Sequence, residues 1–166
     1  ALGTGTVHMV WPVSVQLENF NPAYGVVSLP FVIDDEKMHD AAYRQELLSI
    51  LTPLVESNGI KVLGLTRTTD GLFIANKKQL QSIEDLKGLK IRMTGGQVLL
   101  STAEALGASA ISMPASEMTT ALSQGAIDAV LSSPAGWLTI LGDTGKYAVH
   151  APGLWIATYS IVVDKK

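Results

Sequence analysis

The stretch from Leu89 to Leu131 constrains the fold more than any other, because apolar runs of strand length alternate there with helical patterns at short intervals. Leu89 to Met93 reads as a strand, Val98 to Leu106 as a helix closed by Gly107, and Ala110 to Met113 as a second strand. A helix starting at Ser116, with Met118, Ala121 and Leu122 behind it, stops at Gly125, and Ile127 to Leu131 is a third strand. Ser82 and Asp85 have the spacing of a capping box ahead of the turn SIEDLKG. Connections this short belong to parallel α/β units. The flanks fit the same class. Val7 to Val15 reads as a buried strand, and Asp34 and Asp35 are placed to cap a helix in which Met38, Ala41, Leu48, Leu51 and Leu54 recur until Asn58-Gly59. Ile60 to Leu65 and Ile156 to Val163 read as further strands.

Such a topology says where a ligand would sit. In open α/β sheets the crevice lies outside the carboxyl ends of the strands, beside helix amino termini. Arg92 stands at one such end, and Thr94, Gly95 and Gly96 follow it with backbone N–H groups at the start of the next helix, where the dipole favours an anion. Met113 to Ser116 and Ser132-Ser133-Pro134 close the other two strands and open onto the same crevice. An arginine fork, free helical amides and serine hydroxyls together describe a carboxylate receptor, since guanidinium gives a planar carboxylate two parallel hydrogen bonds. The plainer alternative is that Arg92 pairs with an acid such as Glu117, or reaches solvent.

Several function classes find no support. A net charge of −3 leaves no electrostatic footprint for nucleic acid. Cysteine is absent, so a disulfide framework, a zinc knuckle and a thiol nucleophile are all excluded. His8, His39 and His150 have no metal-ligand spacing, the glycine clusters lack a Walker lysine and the full dinucleotide spacing, and no cofactor motif is present. Ser132 and Ser133 lack the G-x-S-x-G elbow of a hydrolase. An enzyme acting on a carboxylate would need a base in the crevice, for which Glu117 and Asp128 are the nearby acids. Lys77, Lys78, Lys87 and Lys90 form a mild basic cluster that reads first as a solvated face.

The motifs SIEDLKGLKIR, EALGASAISMPASEMTTALSQGAIDAV, SSPAGW and KY, preceded by GTVHM and LPFVI, resemble in content and order the solute-binding proteins of tripartite ATP-independent periplasmic (TRAP) transporters. That resemblance implies two α/β lobes around a cleft that closes on an organic acid, with Arg92 of the KIR motif as the carboxylate partner. It also implies that Arg67, in LTRTTD, is a second arginine for the same group, and that Trp11 faces the ligand. Phe31 of the LPF motif is a further wall candidate, against the commoner use of aromatic residues as core. Ser132 stands where the family often has asparagine, and Ala115 where some members have an aromatic residue, which implies a roomier pocket. The expected partners are a small organic acid and the membrane subunits of a TRAP transporter, in the periplasm and without covalent chemistry. A full member of the family is roughly twice this length, so the chain reads as an internal segment of the two-lobed, periplasmic-binding-protein-like fold. Residues 1–67 would form a partial first lobe, 68–150 the second lobe, and 151–166 a strand returning to the first. Self-association through the helix of 35–56 and the strand of 156–163 is the further expectation.

Overall fold

The structure is a computed structural model that describes Leu2 and residues 4–165. Two sheets organise it. The first has the order β1-β8-β2, where β1 is Met9–Val10, β2 Ile60–Asp70 and β8 Ile156–Asp164, all antiparallel. Helix α1, Ala41–Glu56, covers it: Leu48, Leu51 and Val55 are buried against Ile60, Val62 and Leu65 of β2, with Tyr24 and Val27 beside them. Each such aliphatic side chain contributes about 1.5–3 kcal/mol on full burial.

The second sheet has the order β5-β4-β6-β3-β7, with β3 at Leu72–Ala75, β4 at Lys90–Met93, β5 at Ser109–Ser112, β6 at Ala129–Ser132 and β7 at Tyr147–His150. The strands β5, β4 and β6 are parallel, as the alternation of helix and strand requires; β3 runs antiparallel to both β6 and β7. Helix α2, Gln97–Ala105, joins β4 to β5, and α3, Met118–Gln124, joins β5 to β6. A short turn, α4 at Pro134–Gly136, follows β6 and runs into a π-helical turn at Trp137–Leu141. Side chains alternate across the strands. Ile91, Met93 and Leu131 pack with Leu99 and Ala103 of α2 on one face, and Ile74 and Val130 pack with Met118, Leu122 and Leu141 on the other. The fold is mixed α/β.

Three expectations change. The run Val7 to Val15 gives only the two-residue β1 and a bridge from Val13 to Tyr159, after which Ser14–Asn19 forms a 3-10 helix; Pro12, which has no N–H, interrupts the ladder. Helix α1 begins after Asp40, whose side chain accepts from the Ala42 N–H at 2.8 Å, and not after Asp34 or Asp35. Strand β2 continues past Leu65 to Asp70, so position 67 lies inside it, and the chain passes to the second sheet at Gly71. Strand β8 pairs with β2 along most of its length and with β1 at Val162 and Val163. No helix among the described residues is long and apolar enough to cross a membrane.

Candidate ligand-binding cleft

A cleft of about 280 Å³ opens at the carboxyl ends of β4 and β6. Its second-sheet wall carries Arg92, Thr94, Ser132 and Ser133, with Thr139 and Ile140 of the π-helical turn above them. Val13, Trp155 and Tyr159 form the opposite wall, from the first sheet and the connection that leads into β8. The position follows from topology: parallel strands end together, and the loops after them face one crevice.

Arg92 dominates the chemistry. Alternation along β4 turns it away from Ile91 and Met93, between Ile111 and Val130 on the neighbouring strands. It is only 4% exposed. Its Nε donates to the Met113 carbonyl at 2.8 Å and its Nη1 to the Leu131 carbonyl at 3.4 Å, which sets the plane of the guanidinium. Neither partner is charged. Among the described residues no carboxylate pairs with Arg92 and none is a hydrogen-bond partner of its Nη2; Glu117 is exposed and makes no such contact. Burial therefore lowers the group from its usual value to about 10, still protonated at neutral pH. A buried cation without a counter-charge is costly, and an anion that enters the cleft would relieve that cost.

Around Arg92 the hydroxyls differ in their freedom. Ser133 Oγ accepts from the Gly136 N–H at 3.1 Å and so caps α4. Ser132 is buried beside it, close enough to Gly136 that a Cβ there would meet its Oγ at 2.4 Å. Among the described residues no acidic side chain lines the cleft. Asp128 lies at the other end of the sheet, where its Oδ2 accepts from the Lys90 N–H at 2.9 Å, so neither acid considered for a general base reaches the crevice.

The other sequence candidates fall elsewhere. Arg67 is held by Asp35 through Nε and through Nη2 at 2.7 Å, with Asp70 at 3.6 Å, and it faces a separate depression that also contains His150. Trp11 is 60% exposed and touches the cleft only indirectly, its ring set edge-on to Tyr159 with centroids 6.0 Å apart. Phe31 is 73% exposed, outside the lining, with its N–H donated to the Gly153 carbonyl at 2.9 Å. Beyond the Thr94, Gly95 and Gly96 amides expected to receive the ligand, the next two amides, in the first turn of α2, are already taken. Glu18 Oε2 accepts from the N–H of Gln97 at 2.6 Å and of Val98 at 3.3 Å. Trp155 and Tyr159, the two aromatic residues that do line the cleft, escaped the sequence reading; their signal would have been the strand after Leu154 pairing back to Val13, a contact between distant positions.

The sequence pattern of bacterial extracellular solute-binding protein family 7, DctP, matches residues 1–145. The chain belongs to that family. It is 28% identical over 171 aligned positions to the C4-dicarboxylate-binding periplasmic protein DctP of Rhodobacter capsulatus, covering all of this chain and 50% of that protein. A TRAP periplasmic solute-binding protein from Xanthobacter autotrophicus, solved with β-D-galacturonate, superposes with a TM-score of 0.86 at 25% identity over 99% of this chain and 55% of that one. One from Shewanella oneidensis, solved with succinate, gives 0.85 at 25% identity over 99% and 54%. The chain thus spans about half the length of these family 7 relatives.

Proposed function

We propose that the protein captures a small organic acid in the periplasm and delivers it to the membrane subunits of a TRAP transporter, with Arg92 taking the carboxylate. The observation that carries this reading is the buried guanidinium of Arg92, aimed into the cleft without a carboxylate partner among the described residues. Family membership supports the transport role, and the galacturonate and succinate held by related receptors support the acid as ligand. Thr94, Ser132 and Ser133 would accompany Arg92, with Trp155 and Tyr159 as the apolar side of the ligand. Arg67 would act on the ligand only after leaving Asp35 and Asp70, and Trp11 would act through Tyr159; Phe31 contributes to the rim alone. No step in this reading breaks or forms a covalent bond.

Thermal unfolding tests it. Succinate, malate, galacturonate and glucuronate are each compared with a neutral analogue such as galactose. A ligand at about a hundredfold its Kd adds about 2.7 kcal/mol, which raises Tm by about 5–10 °C for a chain of this size. At least one acid should do so and the neutral sugar should not. Equal responses to acid and neutral sugar, or no response to any acid, would contradict the proposal.

A further inference from the structure

Glu18 is a buried carboxylate that the carboxylate-capture reading does not use. It sits on the 3-10 helix Ser14–Asn19, which packs against β8 of the first sheet, and it is 9% exposed. Its Oε2 caps the amino terminus of α2, a helix of the second sheet, through Gln97 and Val98. The contact therefore joins the two sheets from opposite sides of the cleft. Both strands of chain that meet there start at the cleft wall: Val13 lines it and leads to Glu18, and Thr94 lines it and leads to Gln97.

Two glycines make the approach possible. A Cβ at Gly25 would stand 2.8 Å from Glu18 Oε1, and one at Gly96 would stand 3.1 Å from the same oxygen and 2.1 Å from Val15 Cγ2. Gly96 also has φ of 87°, where side chains are disfavoured. The second oxygen, Oε1, is buried and has no hydrogen-bond partner. Among the described residues no cation pairs with Glu18, so two backbone amides and the dipole of α2 are its whole compensation. An unsatisfied buried oxygen is a poor permanent fixture. It suits a contact that is made on closing and broken on opening, since in the open state water hydrates both oxygens and closure exchanges that hydration for two charge-assisted bonds of nearly equal worth.

We propose that Glu18 is the latch of the cleft, a positioning residue that caps α2 across the gap when the cleft closes on its ligand and withdraws when it opens. The inference rests on the carboxylate-capture reading for its purpose, though not for its geometry. Because a latch acts after encounter, its loss is felt in ligand escape rather than arrival.

Stopped-flow tryptophan fluorescence with succinate and galacturonate on Glu18→Ala and Glu18→Gln tests the latch. The alanine variant should release ligand about tenfold faster with association within about twofold of wild type, and glutamine, which keeps one acceptor without the charge, should fall between. Ligand-free Tm should be unchanged. A lower ligand-free Tm with unaltered release would make Glu18 a static cap and overturn the proposal. Should the wild type bind no acid, the capture reading fails by itself, and the latch is then judged on ligand-free protein. There, with the cap withdrawn, wild type and Glu18→Ala should exchange the Gln97 and Val98 amides at the same rate; protection in the ligand-free wild type that Glu18→Ala abolishes would mark a static cap and refute the latch.

Discussion

At the scale of the residue, the proposed site rests on Arg92, a buried guanidinium at the end of β4. Burial lowers the Arg92 guanidinium to about 10 because lost hydration penalises its charged form. As with an acid whose pKa is lowered on folding, stability rises with pH, but here because a cost is relieved and not because a favourable contact forms. The folded state holds its proton less tightly than the unfolded chain, so the cost is fully present below about pH 10 and is relieved as pH rises through that value. A bound carboxylate restores proton affinity, so ligand affinity should hold level from neutral pH up to about 10 and fall above it. Lysine in the same place keeps the charge and loses the planar fork that Met113 and Leu131 orient. Arg92→Lys is expected to weaken carboxylate binding by more than about tenfold, measured by calorimetry at pH 7; equal affinity would remove the fork from the account. Arg92 was legible in the sequence because a cation at the end of an apolar strand is conspicuous. The fate of Arg67 was not, because Asp35, its partner, lies 32 positions away.

At the scale of the element, local signals were read well and distant ones poorly. The capping box of Ser82 and Asp85 forms, and Gly125, at φ of 75°, ends α3. The three parallel strands lie where periodicity put them. Strand β3 had no such signal: Leu72–Ala75 is four apolar residues, and only pairing with β6 and β7 makes it a strand. Glu18 was equally hidden, since it caps a helix 79 residues further on. The junction of β2 and β3 yields a test. Gly71 donates to the Trp155 carbonyl at 2.8 Å, and a Cβ there would stand 2.3 Å from Trp155 Cε3 and 3.0 Å from Leu131 Cδ1. Both of those side chains line the cleft. Gly71→Ala should push the indole out of place, lowering stability by about 1–3 kcal/mol and weakening ligand binding in step. Chemical denaturation and calorimetry measure the two effects, and a loss of stability with intact affinity would remove Trp155 from the binding wall.

At the scale of the whole molecule, two sheets each bring one wall to a shared cleft, and the chain crosses between them at Gly71 and again between β7 and β8. One wall supplies an unneutralised cation, the other aromatic surface, and no acid competes for the guanidinium. A ligand carboxylate seated on Arg92 would change the surroundings of one arginine alone. Because Arg44, Arg67 and Arg92 are the arginines of the chain, labelling arginine with nitrogen-15 gives three Nε–H resonances, one for each environment. Arg44 is tied to the Met38 carbonyl through Nη1, and Arg67 to Asp35. Titration with the acid that gives the largest thermal shift should move the Arg92 resonance saturably at a one-to-one ratio and leave Arg44 in place. A saturating titration in which the Arg92 resonance stays fixed while that of Arg67 moves would contradict the account.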